Sequence, residues 1–314
     1  MPKVSVCIPA FNQVKHLKTT IDSVLTQTYT DYEIVITDDT PGDLVKNFVA
    51  EYNMPERIKY FKNASTLGSP ENWNESIRKA TGEYIKILHH DDWLNLDDSL
   101  AKYVRLLEDN PAVDFGFSAT QAVFPRGKDW IHRITEEQLA EMQANPLVLY
   151  NANFIGAPST TIFRRDPSLL FDNSLKWLVD IQYYLMQLAR KDKIAYSPEL
   201  LVVTFLTDGR VTHDCAGNKQ VEVFEYLSLL DQIITLRHLY SAVEIKKCVL
   251  KAIYVCRQYN IKSVEDVKHC GFHGRVHHRI RTYLVINAFS TLFGKLMIMM
   301  IRMEIYAFNS KNGS

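Results

Sequence analysis

The sequence predicts an α/β fold: a mostly parallel sheet with helices on both faces, followed by a helical, basic carboxy-terminal region. Two observations carry this reading. Short β-branched runs alternate with segments whose apolar residues recur every three to four positions. The strands lie one βαβ unit apart, and strands joined by helical crossovers pair in parallel and are covered on both faces. Composition permits such a core. The chain has 314 residues, 46% of them hydrophobic, and its 12 Gly and 11 Pro are far fewer than a low-complexity chain would carry.

Val4 to Ile8 is the first strand, ended by Pro9, and Val14, Leu17, Ile21, Val24 and Leu25 mark the apolar stripe of the helix after it. Tyr32 to Thr37, Ile58 to Phe61 and Tyr84 to Leu88 are the next three strands, with a helix over Asn72 to Ala80 before the last. A helix from Asp97 to Glu108 and a strand from Phe115 to Ala119 follow. Phe124 to Asn153 reads as irregular, with a helix at Thr135 to Met142. Then come a strand at Thr160 to Phe163, a helix around Trp177 to Ala189 and a last strand at Leu200 to Phe205. Thr207 to Lys219, polar and with two glycines, reads as a loop. Beyond it lie helices at Val221 to Tyr240 and Val243 to Tyr259, a basic stretch from Phe272 to Arg281 and a final helix from Thr282 to Phe308. The expected division is an α/β domain over residues 1–219 and a helical region over 220–314.

Lys plus Arg and Asp plus Glu number 36 each, which disfavours a globally basic nucleic-acid binder. The balance is uneven. From Ile245 onward 12 Lys and Arg face three acids, a formal +9, leaving −9 for the rest. A basic tail on an acidic body is suited to an anionic surface. The five cysteines are odd in number and widely spaced, as in reduced cytosolic proteins, and Met-Pro-Lys leads straight into the first strand, so no signal peptide is expected. Cys256, Cys270, His273, His277 and His278 lack a Cys-x₂₋₄-Cys pair and sit among arginines, which argues against zinc.

In open parallel sheets, ligands bind beyond the carboxyl ends of the strands. Those ends carry Pro9-Ala10-Phe11-Asn12, Asp38-Asp39, Asn63 and His89-His90-Asp91-Asp92. No Gly-x-Gly-x-x-Gly follows the first strand and no Gly-x-x-x-x-Gly-Lys-Ser/Thr occurs, which excludes NAD(P) enzymes and P-loop NTPases. Paired carboxylates near a phosphate repel it unless a divalent cation sits between, so a metal-bridged nucleotide is the natural guest. Either pair taken alone reads better as the cap of a following turn or helix.

Together these segments resemble the family 2 glycosyltransferases, inverting nucleotide-sugar-dependent enzymes of the Rossmann-like GT-A fold. The resemblance rests on Val4 to Asn12, Ser23 to Tyr29, Tyr32 to Asp39, and Ala80 to Ile85 running into His89 to Trp93, and it covers about residues 3–210. It implies that Pro9, Ala10, Phe11 and Asn12 line a nucleotide pocket, that Asp39 with Asp38 beside it meets the base, and that Asn72 and Asn74 make base and phosphate contacts. Asp91 is expected at the ribose and Asp92 at a Mn²⁺ or Mg²⁺ ion. His213 would close on the diphosphate or metal. His89 stands where the family more often has an acid. Gly156, Pro158 and Ser159 resemble the acceptor-side loop, Asp180 the catalytic base, and Trp177 with Tyr184 would floor an acceptor sugar. Asp172 is the nearest rival base.

The implied reaction moves a hexose from a UDP-hexose to a hydroxyl of a saccharide acceptor. That acceptor is expected to be polyprenyl-diphosphate-linked, in O-antigen or capsule-type synthesis. A nucleotidyltransferase of similar architecture and a non-catalytic sugar-binding scaffold stay open as alternatives. The final helix is too interrupted by Lys295 and Arg302 to span a bilayer. It is expected to lie in the plane of an anionic membrane through Leu292, Leu296, Met299, Met300 and Met303, placing a cytoplasmic enzyme on the inner face of the cytoplasmic membrane. A packed terminal helix or a subunit interface is the other reading.

Overall fold

The chain enters the sheet at once. In the computed structural model, which describes residues 1–125, 128–190, 193–206, 215–289 and 299, strand β1 (Val4–Ala10) is buried along its whole length. Helix α1 (Val14–Leu25) follows, burying Leu17, Ile21 and Val24, and strand β2 (Tyr32–Asp38) pairs with β1 in parallel from Val4↔Tyr32 to Ala10↔Asp38. Strand β3 (Ile58–Lys62) joins β2, and β4 (Tyr84–Ile87) joins the other side of β1, both in parallel. Two short helices, α2 (Leu44–Ala50) and α3 (Glu71–Lys79), complete this half.

A close approach between β1 and the turn before β4 fixes their register. Gly82 N–H donates to Ser5 Oγ at 2.8 Å, Ser5 Oγ donates to Glu33 at 2.7 Å, and a Cβ on Gly82 would lie 2.6 Å from the Ser5 nitrogen. Only glycine fits there.

The second half mixes directions. It comprises β5 (Trp93–Leu94), helix α4 (Ser99–Glu108), β6 (Phe115–Val123), β7 (Trp130–His132), helix α5 (Glu136–Ala144), β8 (Thr161–Arg164), helix α6 (Val179–Arg190) and β9 (Ala195–Phe205). The sheet order is β3-β2-β1-β4-β8-β6-β9-β5, with β7 on β6. Strand β8 is antiparallel to both neighbours, β4 and β6, whereas β6 and β9 run in parallel. Their register jumps from Ser118↔Ser197 to Ala119↔Leu200, around Pro198, which has no N–H for the ladder.

The contacts of the chain fall into two compact units. One comprises residues 1–146, 153–174 and 179–210 and holds the sheet. The other comprises 147–152, 175–178 and 211–314. In the second unit the described helices are α7 (Lys219–Thr235), α8 (Ala242–Gln258), α9 (Val264–His269) and α10 (His278–Phe289). The α8 and α9 starts carry reciprocal capping boxes, Ser241 with Glu244 and Ser263 with Asp266. Helix α7 ends at Thr235, five residues before the expected Tyr240, in a 3₁₀ turn at Arg237–Leu239. Part of the basic stretch is helical, since α10 begins at His278, with Phe272, Val276, Ile280, Tyr283 and Leu284 buried and Lys268, Arg275 and Arg281 exposed.

Two contacts seat the early segments of this unit. Tyr150 donates its hydroxyl proton to the Tyr226 carbonyl at 2.6 Å, and the buried Glu225 carboxylate accepts from the backbone N–H groups of Lys176, Trp177 and Leu178 at 2.6–3.2 Å. None of the five cysteines forms a disulfide, and all five are buried. Among the described residues no helix is long and apolar enough to cross a membrane.

Candidate active site

The carboxyl ends of β1, β2 and β4 meet at one edge of the sheet. After Ala10 the chain takes the left-handed conformation at two successive non-glycine residues, Asn12 (φ 54) and Gln13 (φ 46), and Asn12 N–H donates to Thr40 Oγ1 at 2.7 Å. Such backbone is costly and clusters at functional sites. Phe11 is left exposed at the edge, whereas Pro9 and Ala10 are strand residues and buried.

The two aspartates at the end of β2 serve the protein first. Asp38 accepts from Thr40 N–H (2.7 Å), Tyr60 hydroxyl (2.7 Å) and Lys62 ammonium (3.0 Å). Burial pushes its carboxyl up, but these hydrogen bonds outweigh burial and hold it below the usual carboxylate range. Asp39 accepts from Leu67 N–H (3.0 Å), Gly68 N–H (2.7 Å) and Asn63 Nδ2 (2.7 Å), ordering the loop before α3. Asn72 ties β1 to β2 through the Ala10 and Thr37 carbonyls, both at 3.2 Å. Asn74 clamps the Phe171 backbone from both sides, accepting from its N–H at 2.8 Å and donating to its carbonyl at 2.9 Å. Both asparagines are buried and face inward.

Past β4 the segment His89 to Asp92 turns across the sheet edge. Asp92 is 4% exposed and accepts from Phe205 N–H at 3.0 Å. Burial raises its carboxyl, the Asp91 charge adds to this, and the Lys86 ammonium works against both. Burial pushes His89 down to about 4, so its imidazole is neutral and its 3.8 Å approach to Asp92 is not an ion pair. His89 packs its ring on Trp73, centroids 4.7 Å apart, and the buried Nε2 atoms of His89 and His90 have no hydrogen-bond partner. Among the described residues no three His, Cys, Asp or Glu side chains form a metal cage. The donors present suit a hard cation that takes one or two carboxylates from the protein and its remaining ligands from a diphosphate.

Residues 153–160 form a tight loop ahead of β8. Asn153 Oδ1 accepts from the N–H groups of Ile155 and Gly156, and Asn153 Nδ2 donates to the Gly156 carbonyl at 3.1 Å and to Asp180 Oδ2 at 3.0 Å. Gly156 is left-handed (φ 95), with Thr160 Cγ2 3.2 Å from where a Cβ would stand. Pro158 opens a 3₁₀ turn, and the buried Ser159 hydroxyl accepts from His89 N–H at 3.0 Å. Asp180 lies in the first turn of α6, half-buried, with Oδ1 also accepting from Ile181 N–H at 2.8 Å. Tyr184 is not available to floor a sugar: it is fully buried and its hydroxyl donates to the Gly156 carbonyl at 3.0 Å. Asp172 closes its own turn on Ser174. Trp177 belongs to the second unit, where it stacks edge-on against Tyr226 at 6.0 Å. His213 lies outside the described residues.

Asn153, Lys86 and Glu225 have no part in the sequence reading. A lysine inside the apolar run Tyr-Ile-Lys-Ile-Leu is the one signal that could have drawn notice to any of them.

The sheet order, its parallel half and the acidic strand ends define the GT-A architecture of sugar-nucleotide-dependent transferases. The chain belongs to glycosyl transferase family 2, whose family model matches residues 5–169. It is 30% identical over 218 residues to an uncharacterized protein of Mycobacterium tuberculosis, covering 64% of this chain and 66% of that protein. It is 35% identical over 118 residues to the GalNAc(5)-diNAcBac-PP-undecaprenol beta-1,3-glucosyltransferase of Campylobacter jejuni, covering 37% of this chain and 38% of that enzyme. The matched region thus spans less than two thirds of these relatives' own length. Among solved structures, S. aureus TarS 1-349 in complex with UDP-GlcNAc superposes with a TM-score of 0.57 at 16% identity, covering 99% of this chain and 92% of that one. Mannosyltransferase PcManGT from Pyrobaculum calidifontis, in complex with GDP-Man and Mn2+, gives 0.54 at 15%, covering 97% of this chain and 87% of that one. These likenesses concern the fold.

Proposed function

We propose that the chain is an inverting hexosyltransferase that moves a sugar from a UDP-hexose to a hydroxyl of a lipid-linked saccharide. The observation that carries this reading is one loop reaching the segments of both candidate acids. Asn153 donates to Asp180 at one end, and six residues later the Ser159 hydroxyl accepts from the N–H of His89, in the His89 to Asp92 turn. A carboxylate beside a metal-bridged diphosphate and a second carboxylate across the sugar are what single displacement requires.

In this reading Pro9 to Asn12, with Asp39, Asn72 and Asp91, shape the nucleotide pocket, while Asp38 and Asn74 keep its walls in place through the bonds described above. Asp91 and Asp92 would hold a Mn²⁺ or Mg²⁺ ion, which when bound neutralises charge growing on the departing diphosphate. Asp180 takes the proton of the acceptor hydroxyl through whichever oxygen that hydroxyl approaches. Gly156, Pro158 and Ser159 border the acceptor. His213 is the candidate contact to the diphosphate or metal.

The support for a lipid-linked acceptor is the undecaprenol-linked substrate in the name of the Campylobacter relative. Exposed Lys268, Arg275 and Arg281 support a peripheral position on an anionic membrane, on its cytoplasmic face; Leu292, Leu296, Met300 and Met303, with Lys295 and Arg302, lie outside the described residues. The test is incubation with a panel of UDP-hexoses and Mn²⁺, followed by detection of UDP. Release that depends on donor and metal supports the reading, and none with any nucleotide sugar refutes it.

A further inference from the structure

Asn153 is an exposed residue of the loop before β8, yet its side chain makes every hydrogen bond that an amide can make. Its Oδ1 accepts from the N–H groups of Ile155 at 3.1 Å and Gly156 at 2.9 Å, and its Nδ2 donates to the Gly156 carbonyl at 3.1 Å and to Asp180 Oδ2 at 3.0 Å. The full set fixes which way the amide points. An NH₂ turned toward Ile155 and Gly156 would meet two N–H donors, so the oxygen belongs there and the donor belongs on Asp180. Aspartate would close the same turn equally well; only an amide also turns a donor to a carboxylate.

The helix that carries Asp180 holds the other side of this arrangement. Asp180 Oδ1 accepts from Ile181 N–H at 2.8 Å, and the buried Tyr184, one turn further along α6, donates its hydroxyl proton to the Gly156 carbonyl at 3.0 Å. These bonds close a ring, from Asp180 to Asn153 to Gly156 to Tyr184 and back along α6. Two N–H donors on two different oxygens set the plane of the carboxylate. All four residues lie in the unit that holds the sheet.

We infer that Asn153 is a positioning residue, whose amide holds the Asp180 carboxylate in one orientation. The inference rests on the proposed function only for what Asp180 does; the pairing of amide and carboxylate stands without it.

The test exchanges the two side chains in the full chain and reads thermal unfolding without ligand. Asn153→Asp keeps the bonds from Ile155 and Gly156 but sets a second carboxylate against the first, and should lower the midpoint. Asp180→Asn alone should lower it too, since its NH₂ meets a donor whichever way it turns. In the pair, amide and carboxylate have changed places, so adding Asp180→Asn to Asn153→Asp should raise the midpoint. A midpoint that does not rise overturns the inference. If Asn153→Asp fails to fold, recovery of soluble protein by adding Asp180→Asn supports it, and failure of the pair as well refutes it.

A kinetic split reads position rather than stability. In folded Asn153→Asp, kcat for transfer should fall at least about tenfold while KM for the sugar nucleotide stays within about twofold of wild type, because the turn is kept and only the base is misdirected. An unchanged kcat overturns the positioning role. If wild type releases no UDP from any donor, the transferase reading has failed, and the unfolding cycle still decides on Asn153.

Discussion

Replacing Asp180 with asparagine separates its chemical from its structural role, and the geometry sets both magnitudes. Each carboxylate oxygen faces an N–H donor, Oδ2 toward Asn153 at 3.0 Å and Oδ1 toward Ile181 at 2.8 Å. An amide has one oxygen, so whichever way it flips its NH₂ meets a donor. Losing one such bond at a half-buried site costs about 1 kcal/mol, a midpoint shift of roughly 2–4 °C for a unit of this size. The effect on transfer should be far larger. Without a proton acceptor on the acceptor side, turnover should fall by about 10²–10⁴, or roughly 3–5 kcal/mol of barrier. The assay pairs UDP release at saturating donor with calorimetric UDP binding, which should be nearly unchanged. Asp172→Asn is the control, expected near wild type because that side chain closes its own turn. Near-wild-type transfer by folded Asp180→Asn, with loss in Asp172→Asn, would show that the base is Asp172.

Asp92→Ala should abolish transfer, and chelator should do the same to wild type until Mn²⁺ or Mg²⁺ is restored; full activity in excess chelator contradicts the metal assignment. Gly82→Ala forces a methyl to 2.6 Å from the Ser5 nitrogen and should lower stability by about 1–3 kcal/mol or more in urea unfolding; an unchanged midpoint would mean that the β1 approach is looser than described. Asp38 has a folded pKa below its unfolded value, so its stabilisation is complete above the ordinary carboxylate range and is lost as pH falls through the lowered value. Asp38→Asn should therefore be less stable than wild type at pH 7, and the gap should close in acid; a gap independent of pH refutes the assignment. Flotation with anionic vesicles should be salt-sensitive and lost on truncation after Phe289, and protein that ignores such vesicles refutes membrane association. A cut at Phe272 is unsuitable, because it removes the buried Val276, Ile280, Tyr283 and Leu284.

The strands with long buried runs are legible because burial on both faces leaves an unbroken apolar signature, as in Val4–Ala10 and Tyr32–Asp38. Direction is not. Thr161–Arg164 reads the same parallel or antiparallel, and only its neighbours decide. The two-residue β5 and three-residue β7 exist through pairing alone, and α2, at seven residues, is too short for propensity to mark. At the site, the acids announce themselves by type and place in the chain. Their keepers do not: Asn153 is an ordinary loop residue whose partner stands 27 positions away, and Asn72 and Asn74 reveal only in three dimensions that their amides are turned inward.

Because the helical unit takes in residues 147–152 and 175–178 as well as the chain beyond 210, it cannot be finished in the order in which the ribosome delivers it. Tyr150 waits for a partner 76 residues downstream, roughly 4–15 s at ordinary synthesis rates. Throughout that interval Leu147, Leu149 and Tyr150, and later Leu175 and Leu178, have no core to enter. A nascent chain stalled before Tyr226 should therefore be a chaperone client even with its sheet formed, and slow codons placed between the two segments should lower the yield of soluble protein.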